Sequence, residues 1–404
     1  TQGVARATPI AVVPFAWNVP GEAAPVNTVS LVVSSDLYRS GLFDPMPERD
    51  MIEKPTDPGD VRYGTWRLLK VDSVVIGQIN KVVGGYDIEF YVFDVLSGQR
   101  LLAESVYASD GDLRMGAHRV ADRIYEALTG VPGAFATRIA YIVATGVGKD
   151  SRYELVVADS DGFNEQTIVS SPEPLLSPAW SPDSTQIAYV SFGSGNSNIL
   201  VHNIYTGQRK RIASHKGING APAFSPDGTK IAMALSRTGD PEIYSYDIAS
   251  ERLTQLTRHW AIETEPAWSP DGNFIYFTSD RGGRPQIYRI PTVGGSAERI
   301  TFEGDYNARV SLSPDGRYLA TTHGNENDYR IAVYDRETEQ LRVLSSGRLD
   351  ESPSFAPNGS MILYATREDG KGVLAAVSAD GSVRQKLVQS LGDVREPAWS
   401  PLVR

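Results

Sequence analysis

One short phrase recurs six times in the last two-thirds of the chain: an apolar or aromatic residue, then Ser-Pro, usually followed by Asp-Gly. The copies begin at Trp180-Ser181-Pro182, Phe224-Ser225-Pro226, Trp268-Ser269-Pro270, Leu312-Ser313-Pro314, Phe355-Ala356-Pro357 and Trp399-Ser400-Pro401, spaced 44, 44, 44, 43 and 44 residues apart. A fixed period of that size is the mark of a four-stranded propeller blade stacked beside its neighbours. Each blade cannot bury its own apolar faces, so the repeat predicts an all-β ring rather than a set of independent units.

Within one period the residues read as four strands. Apolar runs such as Ile187-Ala188-Tyr189-Val190 and Ile275-Tyr276-Phe277-Thr278 follow the phrase, and third runs such as Ile243-Tyr244-Ser245-Tyr246 come after a polar loop. They are rich in the β-branched and aromatic types that suit a pleated, half-buried surface. Pro-Asp-Gly between the first two strands is a turn: Pro presets φ, Asp bonds nearby amides and Gly accepts a positive φ. More polar fourth strands follow, as at Arg252-Leu253-Thr254-Gln255-Leu256.

The sixth phrase, at Trp399, has only a first strand. The unmatched run Ile139-Ala140-Tyr141-Ile142-Val143, followed by Tyr153 to Asp159 and Gln166 to Val169, supplies the other three. The ring is therefore expected to close by pairing the C-terminal strand with residues from about 137 to 170, which leaves only short, protected edges. Residues 137–404 are read as a six-bladed propeller, 131–136 as a linker and 1–130 as a separate α/β domain. In that domain Ile10 to Phe15 reads as a buried strand, and a helix is expected from about Asn27 to Ser40. A second helix near Val61 to Val71 precedes strands at Ser73 to Asn80, Tyr86 to Leu96 and Arg100 to Tyr107. A final helix, capped by Asp110 or Asp112, runs to Leu128 before Gly130.

Composition limits the function. Lys plus Arg number 39 against 49 Asp plus Glu, a net charge of −10, with no basic run, which argues against nucleic acid or an anionic membrane as partner. The absence of Cys removes disulfides, thiol catalysis and Cys-ligated zinc. No apolar stretch reaches membrane-spanning length, and the chain reads as a mature, monomeric form. Gly-x-Ser-x-Gly is absent, so the nucleophile of a propeller-linked hydrolase is missing. His118, His202, His215, His259 and His323 are scattered without metal-ligand spacing and read as surface or loop histidines. Asp159-Ser160-Asp161-Gly162 lacks the remaining ligands of a calcium loop and reads as a hairpin turn.

A binding surface remains, and the repeat places it. The innermost strand of each blade begins at the channel mouth, so the residues ahead of each phrase form a ring there: Leu176-Ser177, Gly220-Ala221, Thr264-Glu265, Ala308-Arg309, Glu351-Ser352 and Arg395-Glu396. Unlike the turn positions, this ring does not repeat its chemistry, as expected of loops that meet a partner. Glu263, Glu265, Asp305, Asp350, Glu351, Asp393 and Glu396 outnumber Arg309 and Arg395, predicting an acidic mouth suited to a basic protein face or a cation. With few aromatics expected at the mouth, a peptide, sugar or other small ligand ranks behind a protein partner, as does a separate hydrolase subunit.

Several phrases carry a family resemblance: Arg6-Ala7-Thr8-Pro9-Ile10-Ala11-Val12-Val13-Pro14-Phe15, Leu128-Thr129-Gly130-Val131-Pro132-Gly133-Ala134-Phe135, Asn219-Gly220-Ala221-Pro222-Ala223-Phe224, Thr264-Glu265-Pro266-Ala267-Trp268 and Leu349-Asp350-Glu351-Ser352-Pro353. With them the chain resembles the TolB family, the periplasmic component of the Tol–Pal system, over nearly its whole length. The resemblance implies a non-enzymatic periplasmic adaptor. It would bind the lipoprotein Pal at the propeller mouth and inner-membrane TolA through an N-terminal segment, meeting membranes only through these partners, and would support outer-membrane integrity and constriction at cell division. Some colicins use the Pal site. The implied partner-contact residues are Gly220, Ala221, Thr264, Glu265, Asn307, Arg309, Asp350, Glu351, Arg395 and Glu396. Ile218 stands where some relatives have His. Thr1, Gln2, Gly3 and Val4 are implied as the remnant of the TolA-binding segment. No cofactor is required, but the acidic channel resembles one that takes calcium, near Glu265, Glu351 and Glu396.

Overall fold

The computed structural model describes residues 7–25, 28–193, 195–325, 328–388 and 392–402, and divides into two compact units, Thr1–Ala136 and Thr137–Arg404. The first unit is a sheet with helices on both faces. Its strands are β1 (Thr8–Val12), β2 (Ala16–Asn18), β3 (Phe43–Pro45), β4 (Ser73–Val82), β5 (Gly85–Asp94) and β6 (Arg100–Ser109), in the order β3-β1-β4-β5-β6 with β2 alongside β4. Residues of β4 are buried on both faces because Val75 and Ile79 face α1 (Val29–Arg39) and α3 (Leu113–Thr129), while Val74 and Ile76 face Trp66 of α2 (Tyr63–Leu68). The three long strands and the outer helices follow the sequence reading. Asn27 lies outside the described residues, and the first helix is capped by Thr28, whose side chain accepts from Leu31 N.

Three local expectations are corrected. The second helix spans only Tyr63–Leu68, because Lys70 turns left-handed (φ 58) and Trp66 is its one buried anchor. Strands β2 and β3, each three residues long, are too short to show a period. Asp112 takes the N-cap position of α3 without a side-chain bond, while Asp110 instead pairs with Lys81; Gly130 does end the helix (φ 76). His118 is fully buried on α3, 2.5 Å from the buried carboxylate of Asp36 on α1, so it ties two helices rather than lying at the surface. Residues 133–136 are also held by α3. Asp122 accepts from Phe135 N (2.6 Å) and Ala136 N (3.1 Å), and burial pushes its carboxyl up to about 7 despite those two donors.

The second unit is six four-stranded antiparallel sheets. The innermost strands are Leu175–Trp180, Asn219–Phe224, Glu263–Trp268, Tyr306–Leu312, Glu351–Phe355 and Asp393–Trp399. The last of these pairs with β7 (Arg138–Thr145), which continues through β8 (Arg152–Asp159) to β9 (Gln166–Ser171), closing the ring as the sequence predicts. At the turns, the hydroxyls of Ser181, Ser225, Ser269 and Ser313 donate to the Asp two residues on and accept the amide five residues on, at 2.8–2.9 Å. Ser400 repeats the accepting half of this pattern across the closure, taking Arg138 N at 3.0 Å over 262 positions of chain, and donates to Pro401 O instead of an Asp. Trp399 donates its indole N–H to Thr137 Oγ1 (2.8 Å), and Trp180 donates to Ala398 O (3.1 Å), so both neighbours of the closing strand are pinned to it. The Asp159–Gly162 segment is the expected hairpin turn, with Gly162 N bonded to Asp159 O and φ 85.

Candidate functional site

Every innermost strand carries the same irregularity. Ser177, Ala221, Glu265, Arg309, Ser352 and Glu396 all have φ between 48 and 60, each at a break in register with the next strand. A left-handed non-glycine residue costs about 1–2 kcal/mol. Six at one register therefore mark an imposed feature, a bulge that re-aims a side chain. Five are followed by Pro (178, 222, 266, 353 and 397), which an innermost strand tolerates because it is a sheet edge and needs no outward N–H. Ser177, Ala221, Glu265, Arg309 and these five prolines line a channel cavity of about 250 Å³. The N–H groups freed by the bulge bond to the preceding blade: Ser177 N to Glu396 Oε2 (2.6 Å), Arg309 N to Thr278 Oγ1 (3.0 Å) and Ser352 N to Thr322 Oγ1 (3.3 Å).

The charges in this ring are largely paired. Arg309 reaches Glu396 at 2.7 Å, and Glu396 also accepts the Ser177 hydroxyl at 3.2 Å. Burial opposes the charge on both, but the Arg309 guanidinium and the Ser177 donors hold Glu396 below the usual carboxylate range. Glu396, Glu265 and Glu351 in turn raise Arg309. Glu265 accepts from Thr278 Oγ1 at 2.9 Å. Burial first, then the Glu265, Tyr329 and Glu351 charges, push the nearby Tyr306 hydroxyl up to about 12.

Two sequence-predicted contacts fall elsewhere. Gly220, Ala221, Thr264, Glu265, Arg309, Glu351, Arg395 and Glu396 line the mouth or channel with solvent access, whereas Asn307 is fully buried and Asp350 is 1% exposed. Asn307 donates to Glu303 O (2.7 Å) and Gln286 Oε1 (3.0 Å); Asp350 accepts from Gly347 N (2.9 Å) and Thr366 Oγ1 (2.5 Å). Both staple the loop that enters their own inner strand, so neither is presented to a partner. The mouth is also less acidic than the inner-strand residues suggest. Glu263 is buried against Arg281, Asp305 pairs with Arg284, and Asp393 pairs with Arg395 and Arg367. Arg281 and Arg284 come from a loop and Arg367 from the Met361–Glu368 strand, all outside the inner strands. The ligand oxygens of Glu265, Glu351 and Glu396 do not all lie within 4.8 Å of one another, and Glu396 is paired with Arg309. Thr1, Gln2, Gly3 and Val4 lie outside the described residues.

The inner-strand reading misses the mouth's apolar rim. Trp260 is 74% exposed with the His259 ring tilted against it at 5.2 Å, and Ile262 and Ile218 are 54% and 52% exposed on the same and the adjoining mouth loop. Aromatic character is therefore present at the mouth. The signal lay in the non-repeating stretch Thr257 to Ile262, where a large apolar residue has no structural duty to the blade.

Residues 125–403 match the sequence family described as the TolB beta propeller domain, and residues 1–101 match the TolB amino-terminal domain. The chain belongs to the TolB family. It is 57% identical over 402 residues to "Tol-Pal system protein TolB" of Xanthomonas oryzae pv. oryzae (strain MAFF 311018), covering 99% of this chain and 91% of that protein. The same figures hold for the protein of that name from Xanthomonas campestris pv. campestris (strain B100). The crystal structure of TolB from Acinetobacter baumannii superposes with a TM-score of 0.90 at 41% identity, over 98% of this chain and 97% of that one. The likeness to a putative TolB from Agrobacterium tumefaciens, at TM-score 0.53 and 17% identity over 66% of this chain and 99% of that one, shows the propeller fold alone. The TolB relatives are named as parts of a system rather than as enzymes, and this TolB-family chain is a non-catalytic protein. Among the described residues no helix is long and apolar enough to cross a membrane.

Proposed function

We propose that this chain is a periplasmic adaptor of the Tol–Pal system that docks Pal on the propeller mouth and TolA through its N-terminal segment, supporting outer-membrane integrity and division. The observation that carries the reading is the pairing of six left-handed positions at one register with an exposed Trp260, Ile262 and Ile218 rim. A rigid ring of backbone and an exposed aromatic anchor suit a protein surface, because interfaces draw most of their energy from a few buried aromatics set in a preformed frame. The relatives named for the Tol–Pal system support Pal as the partner. Calorimetric titration with purified Pal tests it. One-to-one binding by the wild type, lost in Thr264→Arg with an unchanged melting curve, is the expected result; a folded wild type that takes up no Pal overturns it. For TolA, a chain lacking residues 1–7 is expected to lose capture by TolA while keeping Pal.

A further inference from the structure

The loop that carries Trp260 is held from below by an unusual pair. Glu242 begins the Glu242–Asp247 strand of one blade, and Glu263 begins the inner strand of the next. They are 4% and 0% exposed and stand at the positions whose counterparts in the next blade, Gln286 and Asn307, bond to each other at 3.0 Å. Glu242 accepts from His259 N (2.5 Å) and Thr257 Oγ1 (2.6 Å), fixing two points of the loop 257–262. The loop is completed by Ala261 N to His259 Nδ1 (3.1 Å) and Ile262 N to Asp280 Oδ1 (2.9 Å). Glu263 Oε1 accepts from Arg281 and from Ser279 Oγ (3.3 Å), while its buried Oε2 has no donor among the described residues.

The next blade shows what this junction requires. Forty-four residues on, Gln286, Thr301 and Asn307 stand where Glu242, Thr257 and Glu263 stand here. Asn307 Nδ2 donates to Gln286 Oε1 at 3.0 Å and Thr301 Oγ1 donates to the same oxygen at 2.7 Å. The backbone bond is repeated as well: Ile243 N to Thr257 Oγ1 at 2.8 Å matches Ile287 N to Thr301 Oγ1 at 2.9 Å. An amide supplies an N–H across the junction. Two carboxylates supply none, and two like charges in contact in a dry site cannot both ionise without large cost.

We infer that Glu242 keeps its proton in the folded protein and donates it to Glu263 Oε2, clasping the loop that presents Trp260 and Ile262 at the mouth. Arg281 takes Glu263 Oε1 and leaves Oε2 open to accept that proton. Burial, followed by the Glu263 charge, outweighs the Thr257 and His259 donors and raises Glu242 above its ordinary value. The groups facing the pair are Arg281 and Asp280 from the adjoining loop and His259 from its own. The sign follows from linkage. A carboxyl raised in the folded state stabilises the closed loop fully below the ordinary Glu value of about 4.3, and that stabilisation declines as pH climbs to the raised value and is level beyond it. The loop therefore loosens with rising pH, and the consequence for Pal rests on the reading of the mouth given above.

Two measurements need no partner. Carbon-13 titration of the side-chain carboxyls, with Glu242→Gln to assign the signal, is expected to show Glu242 still protonated above the ordinary Glu value of about 4.3. Hydrogen exchange of the His259 and Ile262 amides is expected to lose protection by up to about tenfold per pH unit across that window, beyond the ordinary rise with base, and to be level in Glu242→Gln. That variant copies the Gln286 junction and leaves His259, Asp280 and Arg281 in place. A Glu242 signal titrating near 4.3, or identical protection curves in the two proteins, overturns the inference. With Pal, wild-type affinity is expected to fall at least threefold over the same window and the variant's to stay constant; equal pH dependence in both overturns the coupling to the partner. A wild type that binds no Pal at any pH defeats the reading of the mouth, while the carboxyl and exchange results still decide the proton.

Discussion

The two ends of each innermost strand obey different rules. At the turn end, Ser-Pro-Asp-Gly is built nearly the same way from blade to blade, with a serine hydroxyl bridging an aspartate and an amide five residues later. At the mouth end the backbone is just as regular, six left-handed residues in one register, but their side chains are Ser, Ala, Glu, Arg, Ser and Glu. Uniform backbone with varied side chains is what a scaffold offers a partner: position is fixed by the fold, and chemistry is left free to vary.

The largest effect should come from attacking the scaffold where the chain ends meet. Removing residues 397–404 is expected to abolish cooperative melting by circular dichroism, since the closing strand provides the inner edge for β7. Trp399→Ala, which also removes the bond to Thr137, is expected to cost about 3 kcal/mol in urea denaturation, the low end for a partly buried tryptophan. At the mouth the pattern reverses. Trp260→Ala is expected to leave the melting curve within about 0.5 kcal/mol of the wild type and to weaken Pal by about 2 kcal/mol, roughly thirtyfold. Asp271→Ala removes a turn acceptor and is expected to cost about 1 kcal/mol of stability with no change in Pal affinity. The smallest effect is with pH. The Ser225 and Ser269 hydroxyls hold Asp227 and Asp271 below the usual carboxylate value. Their contribution is present above about pH 4 and is lost as pH falls through the lowered values, so acid melting of wild type should be steeper than that of a double Asp227→Asn, Asp271→Asn variant. A mouth substitution that destabilised as much as a turn substitution would erase the contrast.

The blades, their closure and the long strands of the first unit were legible because they repeat or alternate over many residues. Strands β2 and β3 were not, since three residues carry no period. The mouth was legible as a location but not as a surface. Asn307 and Asp350 sit among exposed-looking polar residues, yet each turns inward to hold a loop. The acidic tally missed Arg281, Arg284 and Arg367 because pairing is set by neighbouring loops and strands rather than by neighbours in the chain. His118 and His202, read as surface histidines, are buried: one meets Asp36 across two helices, the other lies opposite Ile187 within a blade. Trp260 had no counterpart in the other blades, and in a repeat protein an unmatched aromatic in a loop was the signal to weigh.

The closing strand also sets a timetable. It pairs Trp399 with Ile139, so the sheet that seals the propeller joins residues separated by almost the whole unit. Closing a loop of that length costs on the order of 5 kcal/mol in chain entropy, and every other propeller strand precedes it in the chain. During synthesis the earlier blades can stack as an open arc, but β7 must wait with an unpaired edge until the last strand emerges. Ring formation is thus a late, single event in the life of each molecule, and the waiting edge of β7 is where a helper that shields nascent chains would have most to protect.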